Sequence, residues 1–151
     1  MHVKVETRYH GTVEAAEQDN ITFPNGLPGF SDEHEFLILP FGDDSPFFIL
    51  QSVKTAGLAF VMAVPFQFFP EYEFNLSEEV TEKLEIDSEN DVAVFVILTV
   101  QEPFEKTTAN LQGPVVINQK KQVGRQLVLN EKGYETRHLL FGKNPAAGQE
   151  G

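Results

Sequence analysis

The chain has 151 residues, with 11 Lys and Arg against 23 Asp and Glu, 14 phenylalanines and no cysteine. A chain of this length buries roughly 70% of the surface of its unfolded form, enough for one self-sufficient core. The absence of Cys excludes disulfide frameworks, thiolate metal sites and cysteine nucleophiles, and a formal charge of -12 disfavours direct contact with phosphate backbones.

The N-terminal MHVKVETRYH has no apolar run of signal-peptide length, and no later stretch approaches the ~20 apolar residues of a membrane-spanning helix. A soluble, cytoplasmic protein is expected. From Val3 the chain alternates, with Val3, Val5, Thr7 and Tyr9 on one side and Lys4, Glu6, Arg8 and His10 on the other, the period of a half-buried strand. Gly11 marks a bend or bulge, and a polar stretch from Ala15 to Asn20 leads into the short run Ile21-Thr22-Phe23. FPNGLPGF, Phe23 to Phe30, places two Pro and two Gly in eight residues and reads as an ordered loop with apolar ends.

Apolar runs at Glu35–Phe41, Phe47–Val53 and Leu58–Val64, separated by GDDSP and by Lys54–Gly57, predict strands of an antiparallel meander. PFQFFPEYEF, Pro65 to Phe74, holds five aromatics, and its two prolines exclude a regular central strand along its whole length. Ser77 is a suitable N-cap for a short helix, with Glu78 and Glu79 in the first turn and Val80 and Leu84 on the apolar stripe. Ser88 caps a further single turn before Val92–Val100, an unbroken β-like run that predicts a central strand. TANLQGP (Thr108–Pro114) is a turn-rich connection into a strand at Val115–Asn118. Lys120–Gly124 then reads as a hairpin loop, Arg125–Asn130 as the return strand, and Thr136–Leu140 as a last short strand. The tail 142–151, rich in small residues, is expected to be disordered beyond a single domain at 1–141. Short strands at regular intervals with one or two short helices define an all-β, mainly antiparallel, small barrel-like fold.

The charge is placed unevenly: residues 1–102 carry 4 basic and 19 acidic side chains, whereas 103–151 carry 7 basic and 4 acidic. Such acidity either keeps the protein soluble or forms a working surface. No P-loop, dinucleotide-binding glycine fingerprint, G-x-S-x-G elbow or H-E-x-x-H is present. His2, His10, His34 and His138 are too scattered for a linear metal motif, and no D-x-D-x-D-G loop occurs. Asp43 and Asp44 read as a solvated turn. Lys120, Lys121 and Arg125 form the only basic cluster and read as a hairpin tip. Within Phe66–Phe74 most phenylalanines read as core. Glu71, Tyr72 and Glu73, an amphipathic aromatic between carboxylates after Pro70, suit recognition of a basic or amphipathic partner helix. The alternative is a β-barrel enzyme or ligand binder that converges Asp43, Asp44, Glu71 or Glu73 with His10 or His138.

Six phrases in order, FPNGLPGF (Phe23–Phe30), SPFFILQSV (Ser45–Val53), PFQFFPEYEFNL (Pro65–Leu76), DVAVFVILTV (Asp91–Val100), TANLQGPVVIN (Thr108–Asn118) and GRQLVL (Gly124–Leu129), resemble the flagellar assembly factor FliW family. The resemblance runs from about Tyr9 to Leu140. One departure is Glu71, where the family pattern more often has Asp; the acidic character is kept. The resemblance implies a compact, non-enzymatic, cytoplasmic barrel without cofactor or metal, a monomer that contacts neither nucleic acid nor membrane directly. It further implies two protein partners, flagellin and the RNA-binding translational regulator CsrA, bound by a chaperone and CsrA antagonist that relieves repression of flagellin translation. The partner-binding residues it suggests are Phe69, Glu71, Tyr72, Glu73, Phe74 and Asn110.

Overall fold

The computed structural model describes residues 2–130 and 133–141. The strands are β1 (His2–Thr7), β2 (Gly11–Ala16), β3 (Ile21–Thr22), β4 (Glu35–Pro40), β5 (Phe47–Ser52), β6 (Ala59–Ala63), β7 (Val92–Thr99), β8 (Thr108–Ala109), β9 (Val115–Asn118), β10 (Val123–Gln126) and β11 (His138–Leu139), and the helix is α1 (Glu78–Lys83). Seven strands in the order β7-β6-β5-β4-β3-β10-β9 close on themselves, because β9 pairs back onto β7 from Val92↔Asn118 to Phe95↔Val115. Closure leaves no open ladder edge in the ring. Every pairing in the ring is antiparallel except β3 with β10, joined at Thr22 and Val123.

β7 organises the whole. One of its edges serves β9 along the first half and β8 along the second, through Leu98↔Ala109 and Thr99↔Thr108. β11 adds to β8, so β8 and β11 form a short flap of sheet outside the barrel. The side-chain period of two then sorts the apolar residues into layers. Phe36, Leu50, Met62, Phe95, Val115 and Ile117 fill the barrel interior. Val96, Leu98 and Val116 point outward and are covered by α1, by the 68–76 segment and by Leu127, Leu129 and Leu140. Leu37, on the outer side of β4, is covered by Val5 and Ala15 of the β1–β2 hairpin. β7 and β9 are therefore packed on both faces, which is why they read as continuous apolar runs rather than alternating ones.

The expected all-β barrel, the meander β4–β6 and the central position of β7 agree with the structure. Ser77 caps α1 as expected, its hydroxyl accepting from Val80 N at 3.2 Å, and Ser88 caps the single turn at Glu89–Asp91. Five readings change. β1 ends at Thr7, and Arg8, Tyr9 and His10, read as its continuation, form the turn into β2. Gly11, with φ +64°, opens β2 and is no bulge, and Ala15 is a buried strand residue rather than part of a polar connection. Thr108–Ala109, read as part of a turn-rich connection, is a strand. The hairpin return starts at Val123 and ends at Gln126. Beyond that point Leu127 N donates to Pro114 O and Leu129 N to Gln112 O, but Pro114 has no N–H to answer, so no two-way ladder forms. The alternation there survives: Leu127 and Leu129 are buried while Val128 is 70% exposed. The predicted tail at 142–151 lies outside the described residues.

The FPNGLPGF loop is ordered by its own ends. Phe23 is fully buried against Phe36, and Leu27 and Phe30 form an isolated β-bridge. Gly26 holds φ +66°, and a Cβ there would stand 2.7 Å from the Phe30 carbonyl oxygen, so the turn requires glycine on two counts.

Candidate functional site

The segment after β6 begins at Pro65, which opens a single 3-10 turn at Pro65–Gln67. The Pro65 carbonyl accepts from both Phe68 N (3.0 Å) and Phe69 N (2.7 Å), and Phe69 O accepts from Tyr72 N at 2.9 Å. From Tyr72 to Ser77 the chain packs on the outer face of the barrel and belongs to no helix or strand. Tyr72 turns inward: it is 4% exposed and its hydroxyl donates to Leu111 O at 2.7 Å. Its neighbours Glu71, in a turn, and Glu73 are both exposed.

Around this pivot the remaining candidates fall into place. Phe69 and Phe74 are half-buried; the Phe69 ring lies edge-on to His138 at 6.2 Å, and Phe74 tilts over Tyr72 at 5.6 Å. Asn110 follows β8, donates its backbone N–H to Ile97 O, and spends its side-chain oxygen on Gly113 N at 2.9 Å. It thereby shapes the turn that presents Leu111 O to Tyr72. Tyr72 separates two grooves. One of about 710 Å³ is lined by Phe69, Glu71, Tyr134, His138, Leu139 and Phe141. The other, of about 580 Å³, is lined by Phe66, Glu73, Phe74, Ile86, Val92 and Val94. Five of the six residues singled out in the sequence thus line these two grooves, with the acids outward and Tyr72 as their buried support, while Asn110 lines neither.

Sequence reasoning missed the aromatic extension of this face. Phe47, Phe68, Phe141 and Phe104 form a closed ring of contacts at 5.5–6.1 Å between centroids. Phe104 and Phe141 remain 40% and 47% exposed, beside exposed Val100 and Leu139. The available signal was Phe104 itself, an aromatic inside the charged turn EPFEK, where a core residue is out of place.

The other candidates lie elsewhere. Asp43 and Asp44 occupy the exposed β4–β5 turn, with Asp44 at φ +60°. His10 pairs through Nε2 with Pro40 O, and His34 through Nδ1 with Phe23 O. Lys121 stands 3.9 Å from Glu85 in an exposed pair, the kind that contributes ~0–1 kcal/mol. Among the described residues no group of three or more His, Asp or Glu could hold a metal ion, and no helix is long and apolar enough to cross a membrane. The Glu33 carboxylate is held below the usual range, first by the Ser52 hydroxyl and then by the Thr55 hydroxyl at 2.7 Å. It orders the β5–β6 loop, away from the acidic face.

These features define the class: a small, helix-poor, closed β-barrel whose outer face carries an acidic and aromatic strip. Within that class, the FliW protein family profile matches residues 4–140. The chain is 50% identical over 139 residues to the flagellar assembly factor FliW of Geobacillus kaustophilus (strain HTA426), covering 92% of this chain and 96% of that protein. It is 46% identical over 140 residues to the flagellar assembly factor FliW of Bacillus subtilis (strain 168), covering 93% and 98%. A crystal structure of the flagellar assembly factor FliW superposes with a TM-score of 0.87 at 46% identity, covering 95% of this chain and all of that one. The chain belongs to the FliW family.

Proposed function

We propose that this chain is a cytoplasmic, non-catalytic flagellar assembly factor that exchanges between two protein partners, flagellin and the RNA-binding regulator CsrA. While flagellin is abundant it occupies the protein; when flagellin is exported, the protein binds CsrA and relieves repression of flagellin translation. Residues 1–141 are the binding domain in this reading, acting as a monomer. The observation that carries it is the exposed Glu71–Glu73 pair flanking the inward Tyr72, with grooves lined by aromatic side chains on both sides. Aromatic surface supplies affinity, and fixed carboxylates supply selection for a basic partner.

The same acidity gives a physical route to antagonism. Docked on an RNA-binding protein, a surface built from residues 1–102, which are net acidic in sum, places negative potential near the RNA path and weakens RNA binding without occupying its site. Screening limits that reach to ~8 Å at physiological salt, so the acidic face itself must lie close to the RNA. Linkage makes the effect reciprocal, and a coupling of about 1–3 kcal/mol corresponds to roughly 5–150-fold.

The test is the double substitution Glu71→Lys with Glu73→Lys. Both side chains are exposed, so the melting temperature is expected to stay within a few degrees, while calorimetry shows CsrA affinity lowered at least about tenfold. Unchanged CsrA affinity in the folded variant refutes this face. In cells, a pull-down before and after export is blocked is expected to recover CsrA and then flagellin.

A further inference from the structure

The Glu71–Phe74 segment belongs to no strand, so no ladder of backbone bonds fixes it. In its place stands one side chain. The Tyr134 hydroxyl accepts from Glu73 N and donates to Glu73 O, both at 3.1 Å. A strand partner would satisfy the same two groups of the same residue, so the phenol substitutes for a ladder rung. We infer that Tyr134 is a positioning residue for partner binding, pinning the main chain at Glu73 so that the acidic pair is presented in one fixed orientation.

Three further observations carry this assignment. The Tyr134 ring packs edge-on against Tyr72 with centroids 4.8 Å apart. Tyr72 is tied to Leu111 O, and Leu111 N and Gln112 N both donate to Glu135 O at 3.1 Å. A closed circuit therefore runs from Glu73 through Tyr134, Glu135, Leu111 and Tyr72 back to Glu73, linking three segments that belong to no strand. The turn that holds Tyr134 is itself closed, since Glu135 N donates to His138 Nε2 at 2.8 Å and His138 begins β11. The flap of sheet outside the barrel thus acts as the anchor for a site carried by a different part of the chain. Tyr134 is partly exposed and its hydroxyl bonds are exposed ones, so they contribute little to global stability. What they contribute is restriction of Glu73, and fixing a binding segment before association lowers the ordering entropy that binding must overcome.

This inference rests on the acidic face being the CsrA-binding face, and the experiment separates the two. Tyr134→Phe keeps the ring against Tyr72 and removes only the hydroxyl. The expected results are faster amide hydrogen exchange at Glu73, by about tenfold or more, a melting temperature within a few degrees of the parent, and CsrA affinity lowered about tenfold by calorimetry. Tyr134→Leu, which also removes the ring, is expected to lower both stability and affinity, so a fall in affinity unique to that variant indicates packing alone and overturns the positioning role. Unchanged exchange at Glu73 in Tyr134→Phe overturns it as well. Faster exchange with unchanged CsrA affinity, while Glu71→Lys with Glu73→Lys still weakens binding, overturns positioning and leaves the acidic face standing. Unchanged affinity in all three variants overturns both.

Discussion

Replacing Asn118 with Ala tests how the outer cover is held to the barrel. Asn118 is 1% exposed at the end of β9. Its Nδ2 donates to Leu84 O at 2.8 Å and Glu85 O at 3.0 Å, while its Oδ1 accepts from Lys120 N at 3.0 Å and Lys121 N at 3.2 Å. An amide has two donors and two acceptor sites, so all four are used. Leu84 is the C-cap of α1 and Glu85 follows it, where carbonyls at a helix end lack intrahelical partners. Lys120 and Lys121 are exposed and regain water when the side chain is removed. The Leu84 carbonyl, on a residue 1% exposed, does not. One stranded buried group at ~1–3 kcal/mol, plus the lost bond to Glu85 at ~1 kcal/mol, gives about 2–4 kcal/mol of destabilisation. For a chain of this size that is roughly 4–16 °C in melting temperature.

The assay is urea unfolding of Asn118→Ala beside the parent, with the slope m unchanged and only the midpoint lowered. A six-residue helix is not stable alone. Amide exchange at Leu84, whose N–H donates to Val80 O, should therefore accelerate more than exchange in β7. Asn118→Asp is expected to be at least as damaging, since a carboxylate faces two carbonyls with no donor. A loss below about 1 kcal/mol for Asn118→Ala, with Leu84 exchange unchanged, would refute the assignment of Asn118 as the link between helix and barrel.

Further outcomes follow from the same geometry. Gly124→Ala places a Cβ 2.9 Å from Phe23 Cζ and 3.0 Å from Ile117 Cγ1. Both neighbours are core, so about 1–3 kcal/mol should be lost in chemical denaturation, whereas Gly57→Ala, with nothing within 4 Å, should be silent. Glu33 is held below its ordinary value near 4.5 by hydroxyl bonds from Ser52 and Thr55. Its stabilisation is therefore present above that value and lost as pH falls through the lower folded value. Glu33→Gln should flatten the stability curve below about pH 4.5; an unaltered curve would rule out the carboxylate as its source. For the acidic face, CsrA binding should weaken as salt rises from ~0.05 to ~0.5 M, and the Glu71→Lys, Glu73→Lys variant should lose most of that dependence.

The division of labour on the proposed binding face has a simple physical form. Tyr72 and Phe74 are part of the outer core, so their substitution acts on stability and binding together. Glu71 and Glu73 are exposed and carry charge without packing. Phe104 and Phe141 lie between these extremes, touching the Phe47 and Phe68 rings while exposing nearly half their surface. An apolar surface adjoining fixed carboxylates meets the two demands of a switchable contact: area for affinity, and charge for choice of partner.

By itself the sequence determined whatever depends on near neighbours. The alternation and breakers located β4 to β7, because strand period and proline exclusion are properties of a few consecutive residues. The Ser77 cap and the acidic first turn located α1 for the same reason. The ordered phrases from FPNGLPGF to GRQLVL identified the family, and the acids of EYEF were legible as a candidate surface. Alternation says which residues share a side, however, and not which side will be covered. Only the tertiary structure decided that Tyr72 turns inward to reach Leu111, 39 residues away. It also decided that Phe47 meets Phe104 and Phe141, and that Val123 returns beside Thr22 to close the barrel. The burial of Asn118 between a helix end and a hairpin turn belongs to the same kind. These are long-range packing outcomes, fixed by closure of the sheet and by what then covers its outer face, and no local pattern encodes them.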